Sequence, residues 1–176
     1  RGRFREFYQC DIDIIGNGKL DIINDAEIPS IIYSTFKALG FDSFTIKINN
    51  RKILKGFFKS LGVEDSTEVL RTIDKLEKIG LNGVEKELKD QKLDENTINA
   101  IIEFTSINGT NEEKLQSLKD MKIENEIFNE GLEELTDVNH YIGTFGVPSA
   151  NYIIDLTIAR GLDYYTGTVY ETFLDN

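Results

Sequence analysis

The hydrophobic period of this chain is two at its start, 3.6 through its middle and two again at its end. That switch constrains the fold more than any other feature. Residues 3–15 alternate, with Arg3, Arg5, Phe7, Gln9, Asp11 and Asp13 on one parity and Phe4, Glu6, Tyr8, Cys10, Ile12 and Ile14 on the other. Alternation of this kind predicts a long antiparallel strand with one polar face. Gly16-Asn17-Gly18 then breaks it. Asn24 and Glu27 have capping-box spacing, and Ile28, Ile31, Ile32, Phe36 and Leu39 form a helical stripe that stops at Gly40. Residues 43–49 alternate again and predict a second strand.

From Arg51 to Ile142 the helical period holds without interruption. Ser66 opens a helix with Val69, Leu70, Ile73 and Leu76 inward, and Gly80 follows it. Asp94 opens another through Ile98, Ile101, Ile102 and Thr105, and Ile123, Ile127, Leu135, Val138 and Ile142 line a long third one. Shorter helices are expected over 51–61, 82–89 and 111–119. After Gly146-Val147-Pro148, Ile154, Leu156 and Ile158 alternate with Asp155, Thr157 and Ala159 up to Arg160, and Thr168 to Leu174 reads as a last strand. A sheet interrupted by helices and then resumed predicts an α+β domain carrying an all-helical insertion. The expected divisions are 1–50, 51–142 and 143–176. The chain opens and closes in strand patterns, so it reads as a fragment.

A net charge of −11 argues against bulk electrostatic coating of nucleic acid. Charge is nonetheless segregated: residues 1–5 carry three arginines and no anion, whereas 124–137 carry six acidic residues and no cation. The acidic run reads as a solvated helix face. Lys52, Lys55 and Lys59, at helical spacing, either meet nucleic-acid phosphates or are merely solvated. No apolar run suits a membrane span, and no targeting signal stands at either end. A single cysteine fits a reducing compartment, with cytoplasmic as the default. Cys10 shares its parity with Tyr8 and Ile12 and is expected in the core. His140 reads as a surface or packing residue, and one histidine with one cysteine makes no zinc pattern.

Two segments carry chemistry. On the first strand Arg3, Arg5, Gln9 and Asp13 would point the same way, with Arg3 and Gln9 roughly 20 Å apart. Such a face either follows an extended polar ligand or is a solvated sheet surface. Arg160 falls on an otherwise apolar parity, where a guanidinium needs an anion. Asp163 is one candidate partner and a substrate phosphate or carboxylate is the other. Tyr164 and Tyr165 offer aromatic walls and hydroxyls for a small polar ring.

RGRFREFYQCDIDIIG resembles the second half of motif 2 of class II aminoacyl-tRNA synthetases, in the form found in histidyl-tRNA synthetases. ARGLDYYTGTVYE resembles the histidine-specific signature of that family. The likeness covers roughly 1–50 and 145–176; the helical block matches in position and character more than in residues. The resemblance implies a partial class II antiparallel sheet. It also implies an enzyme that joins histidine and ATP, the latter as its Mg2+ complex, into histidyl-adenylate and passes the histidyl group to tRNA(His). Carried over, Arg3 contacts the outer ATP phosphates and Gln9 holds the amino-acid backbone. Asp13 and Tyr165 bond the two imidazole nitrogens, Tyr164 and Gly161 shape the pocket, and Arg160 bridges the substrate carboxylate and α-phosphate. A homodimer is implied for the full-length protein, with tRNA touching the insertion.

The chain departs from the family pattern in lacking the first arginine of motif 2, motifs 1 and 3 and the anticodon-binding domain. The isolated chain is therefore expected to be inactive. One rival reading is a non-catalytic paralogue serving as a regulatory subunit or tRNA-sensing domain, although such relatives tend to degrade the signature that is intact here. The other is a purely structural helical interaction module.

Overall fold

The computed structural model describes residues 6–159 and 164–174. Helix α1 (Ile23–Ala38) leads to strand β1 (Phe44–Asn50). Six helices follow: α2 (Arg51–Ser60), α3 (Thr67–Ile73), α4 (Leu76–Asp90), α5 (Glu95–Thr105), α6 (Asn111–Asp120) and α7 (Glu126–Thr144). A 3-10 turn (Ser149–Asn151), β2 (Tyr152–Ile154) and β3 (Thr168–Leu174) close the order. The α+β class read from the sequence holds, with helices between β1 and β2 as the 3.6 period predicts, although the helix expected from Ser66 through Leu76 divides into α3 and α4.

β1 is the central strand of a β2-β1-β3 sheet. It pairs antiparallel with β3 from Phe44↔Leu174 to Asn50↔Thr168, and parallel with β2 from Ile46↔Tyr152 to Ile48↔Ile154. The sheet is thus mixed rather than wholly antiparallel. A parallel neighbour needs a long crossover, and the helical block supplies one. The strand expected over 154–158 is shorter and earlier than its alternation suggests. Asp155 accepts from the Thr157 N–H at 3.0 Å and from its hydroxyl at 2.6 Å, a local turn that ends the ladder. The burial alternation continues past that turn, with Leu156 and Ile158 buried.

The outer edge of β2 is closed by side chains of α6. The Ile154 N–H donates to Asn111 Oδ1 at 2.8 Å, and Lys114 Nζ donates to the Ile154 carbonyl at 2.6 Å. Residues three apart on a helix face the same way, so this pair stands in for a missing strand. Burial holds the Lys114 ammonium below its usual range, opposed by Asp155.

The predicted first strand is the main correction. Residues 6–15 form no strand and lie largely at the surface, with Phe7 78% and Tyr8 102% exposed. Alternation prepares a face, but a ladder must satisfy the backbone, and no described strand pairs with this segment. Cys10 is exposed for the same reason, against the expectation of core packing.

The capping box expected at Asn24 is also absent. Helix α1 starts two residues earlier, at Ile23, with Asp21 accepting from the Ile23 N–H at 3.2 Å. Pro29 lies inside α1 and is buried. Its missing N–H leaves the Asp25 carbonyl without a helical donor, and the Tyr170 hydroxyl of β3 donates to that carbonyl instead. Thr168 Oγ1 adds a bond to Asp25 Oδ2 at 2.7 Å, so α1 is tied to β3 at one residue.

Helices α2 and α7 cross closely because each offers a glycine. A Cβ on Gly56 would stand 2.4 Å from the Phe128 nitrogen, and one on Gly131 would stand 2.7 Å from the Ile53 nitrogen. Ile53, Leu54, Phe57 and Phe58 of α2 join Phe128, Leu135, Val138 and Ile142 of α7 in one buried cluster that also contains Phe44, Ile46 and Ile48 of β1. Phe57 stacks on Phe104 of α5 at 4.2 Å. The sheet and the helices therefore share one core.

Candidate functional site

Tyr165 and Thr166 of the signature line a cleft of about 620 Å³ together with Arg51, Lys52, Lys55 and Lys59 of α2, residues 63–67 and Glu130 of α7. Tyr164 and Tyr165 are 84% and 51% exposed, and their rings meet edge to face at 5.1 Å. Both side chains are thus exposed, as an aromatic recognition site needs. Gln9 and Asp13 are exposed in the coil of residues 6–22, and Gln9 donates to Asp11 at 2.9 Å. Arg3, Arg160, Gly161 and Asp163 lie outside the described residues. Of the sequence-derived candidates among the described residues, Tyr165 lines the cleft, Tyr164 adjoins it in the chain, and Gln9 and Asp13 are not among the lining residues.

What the structure adds is the frame behind the tyrosines. At the end of β1, Asn49 Nδ2 donates to the Ile158 carbonyl at 2.9 Å, and Arg51 Nη1 donates to the Ala159 carbonyl at 3.2 Å. The Arg51 N–H donates to the Gly167 carbonyl at 2.8 Å. Asn50 caps α2 by accepting from the Lys52 N–H at 2.9 Å and donates to Glu134 at 2.8 Å. Asn49 and Asn50 are fully buried, and buried amides require such partners. Sequence reasoning passed over these residues. The available signal was the run Asn49-Asn50-Arg51, three polar residues closing an apolar strand and opening a helix.

Lys52 is a structural cation. It bridges Glu130 at 2.7 Å and Glu134 at 2.5 Å. Burial would lower its ammonium, yet bonds to both carboxylates hold it above the usual range. The acidic run of α7 is therefore more than a solvated face, since two of its members anchor the start of α2. Lys55 and Lys59 remain exposed at the cleft. His140 is also exposed and packs edge to face on Tyr141 at 5.5 Å.

The described residues contain no group of three or more His, Cys, Asp or Glu suited to a metal ion, and no described helix is long and apolar enough to cross a membrane.

The model of the histidyl-tRNA synthetase family matches residues 1–176, the whole chain. The chain belongs to this family. A histidine–tRNA ligase of Clostridium tetani (strain Massachusetts / E88) is 66% identical over 176 residues, covering 100% of this chain and 40% of that protein. One from Finegoldia magna is 49% identical over 173 residues, covering 98% of this chain and 40% of the relative. The crystal structure of histidyl-tRNA synthetase from Nostoc sp. PCC 7120 superimposes with a TM-score of 0.94 at 45% identity, covering 99% of this chain and 42% of that one. A structure named as an ATP phosphoribosyltransferase regulatory subunit/histidyl-tRNA synthetase from Bacillus halodurans shares the fold at a TM-score of 0.73. Its identity is 20%, over 92% of this chain and 41% of that one. The chain thus spans about two fifths of the curated relatives it matches.

Proposed function

We propose that this chain supplies the histidine-recognising part of a histidine–tRNA ligase. In this reading ATP and histidine form histidyl-adenylate and pyrophosphate, and the histidyl group then passes to the 3′ end of tRNA(His). The observation that carries the reading is the unbroken run Arg160-Gly161-Leu162-Asp163-Tyr164-Tyr165-Thr166-Gly167 in a chain of this family. The 66% identity to a histidine–tRNA ligase supports it. Residues 51–142 serve as the helical insertion, flanked by the two catalytic portions 1–50 and 143–176. ATP enters with Mg2+, the full-length protein is a cytoplasmic homodimer, and Lys55 and Lys59 are candidates for meeting tRNA.

The residue types suit the chemistry. Attack of the histidine carboxylate on the α-phosphorus needs positioning and cationic stabilisation more than covalent help. Arg160 bridges carboxylate and α-phosphate and offsets the charge that builds between them. Arg3 holds the outer phosphates, and Gln9 holds the substrate's amino-acid backbone. Asp13 and Tyr165 bond the two imidazole nitrogens, while Gly161 and Tyr164 shape the pocket. A side chain that lacks the imidazole N–H leaves these groups unpaired, which is a strong basis for rejecting it.

The test is amino-acid-dependent ATP–pyrophosphate exchange by the full-length protein, run with all twenty amino acids. Exchange with histidine alone is expected. Arg160→Ala is expected to lower adenylate formation at least ~100-fold, and a rate within about threefold of wild type removes Arg160 from that role. Absence of exchange from a folded protein replaces the ligase reading with a non-catalytic paralogue. The isolated 176-residue chain is expected to show no turnover.

A further inference from the structure

At the end of β1 the chains of its two neighbours part. The β1–β2 ladder stops after the Asp155 N–H bonds the Ile48 carbonyl at 2.9 Å, while the β1–β3 ladder runs to Asn50↔Thr168. Beyond that point Arg51 and the nearby Asn49 hold the two diverging chains. The Arg51 N–H carries the β3 ladder one residue further, to the Gly167 carbonyl, and the Arg51 guanidinium reaches across to the Ala159 carbonyl. Asn49 does the same for Ile158. Ile158 and Ala159 are buried, so their carbonyls need donors from the protein. Gly167 stands two residues after Tyr165, and Arg51 lines the same cleft as Tyr165.

We infer that Arg51 is a positioning residue for the histidine site: by holding Ala159 on one side and Gly167 on the other, it sets where Tyr164 and Tyr165 stand. The inference rests on the ligase reading above. Arg51 acts through the backbone and has no assigned contact with substrate. Arginine suits the task because its planar fork donates along fixed directions, whereas a lysine ammonium offers a mobile point donor. Glu134 supports the arrangement from behind, since it accepts from Asn50 and Lys52 on either side of Arg51 in the chain.

The experiment is steady-state ATP–pyrophosphate exchange by the full-length protein carrying Arg51→Ala, Arg51→Gln or Arg51→Lys, with active sites titrated and melting temperature recorded. Arg51→Ala is expected to raise KM for histidine about tenfold or more, the scale of one lost bond to a charged donor. KM for ATP is expected to move less than about threefold, and Arg51→Lys to recover part of the loss. A role confined to stability predicts a lower melting temperature and fewer active sites, with both KM values at wild type; that result overturns the inference. An equal rise in both KM values overturns it too. Should Arg51→Ala not fold, Arg51→Gln and Arg51→Lys are read by the same criteria. Wild-type protein without histidine-dependent exchange fails the ligase reading itself and takes the positioning role with it. Active wild type with unaltered Arg51 variants fails the positioning role alone.

Discussion

Two segments of this chain alternate in almost the same way and come to different ends. In residues 6–15, Tyr8, Cys10, Ile12 and Ile14 share one parity and Gln9, Asp11 and Asp13 the other; in β1, Phe44, Ile46 and Ile48 share one parity and Thr45, Lys47 and Asn49 the other. β1 has a neighbour on each side and buries Phe44, Ile46 and Ile48. Residues 6–15 have no described strand beside them and leave Phe7, Tyr8 and Ile12 exposed. The difference lies outside either segment: period two prepares a face, and only a hydrogen-bonded neighbour turns it into a strand.

Replacing the same residue type in the two segments should break this comparison most visibly. Phe44 is 1% exposed and packs on Tyr33 and Phe36 at 5.8 and 5.2 Å. Phe44→Ala should therefore cost about 3–5 kcal/mol. Phe7→Ala removes a largely exposed ring and should cost less than about 0.5 kcal/mol. Urea denaturation of the 176-residue chain measures both, and equal costs would show that residues 6–15 pack as β1 does. A cost for Phe7→Ala in a longer protein but not in this chain would place its sheet partner outside residues 1–176.

The same contrast explains what the sequence discloses. Strands β1 and β3 and helices α2, α5, α6 and α7 fall within a few residues of their predicted bounds, because each buries a face whose period is written in the chain. At the other elements a local hydrogen bond wins over the period. Asp155 turns the chain after β2 and Asp21 starts α1 before Asn24, whereas Gly80, with φ at +67°, breaks α4 where the sequence places a helix stop. In the candidate site, Tyr164 and Tyr165 were legible from a contiguous motif. Asn49 and Arg51 were not, since bonds from a side chain to a carbonyl 109 or 108 residues away leave no periodic trace.

A smaller effect sharpens the comparison at the level of single hydroxyls. Tyr170 donates to the Asp25 carbonyl that Pro29 leaves without a helical donor, whereas Tyr8 is fully exposed. Tyr170→Phe strands a partly buried carbonyl and should cost about 1–2 kcal/mol, while Tyr8→Phe should leave the denaturation midpoint unchanged. Replacing Pro29 by alanine restores an N–H to α1 and should shrink the penalty of Tyr170→Phe; a penalty unchanged in that background would refute the pairing of these two residues.

The smallest effect is a pH dependence at the same junction. Burial raises the Asp25 carboxyl above its usual range and the nearby Glu134 adds to this, while the bond from Thr168 and the Lys52 charge oppose it. The folded chain then keeps a proton that the unfolded chain has already released, so stability falls as pH rises from the ordinary carboxylate range through the folded value. Above that value the cost is complete; well below the ordinary range it vanishes. Asp25→Asn keeps an oxygen for the Thr168 hydroxyl and removes the charge. Asp155, held below its usual range because bonds from Thr157 and Lys47 outweigh its burial, contributes the opposite slope in both proteins and cancels in the difference. Relative to wild type, the asparagine variant should therefore gain stability on going from acid to neutral pH, by less than the ~1 kcal/mol of an ordinary side-chain hydrogen bond. Denaturation midpoints of the two proteins across that range give the sign directly. A wild type that gains on the variant as pH rises would mean that the Asp25 anion, through Thr168 and Lys52, stabilises the contact between α1 and β3.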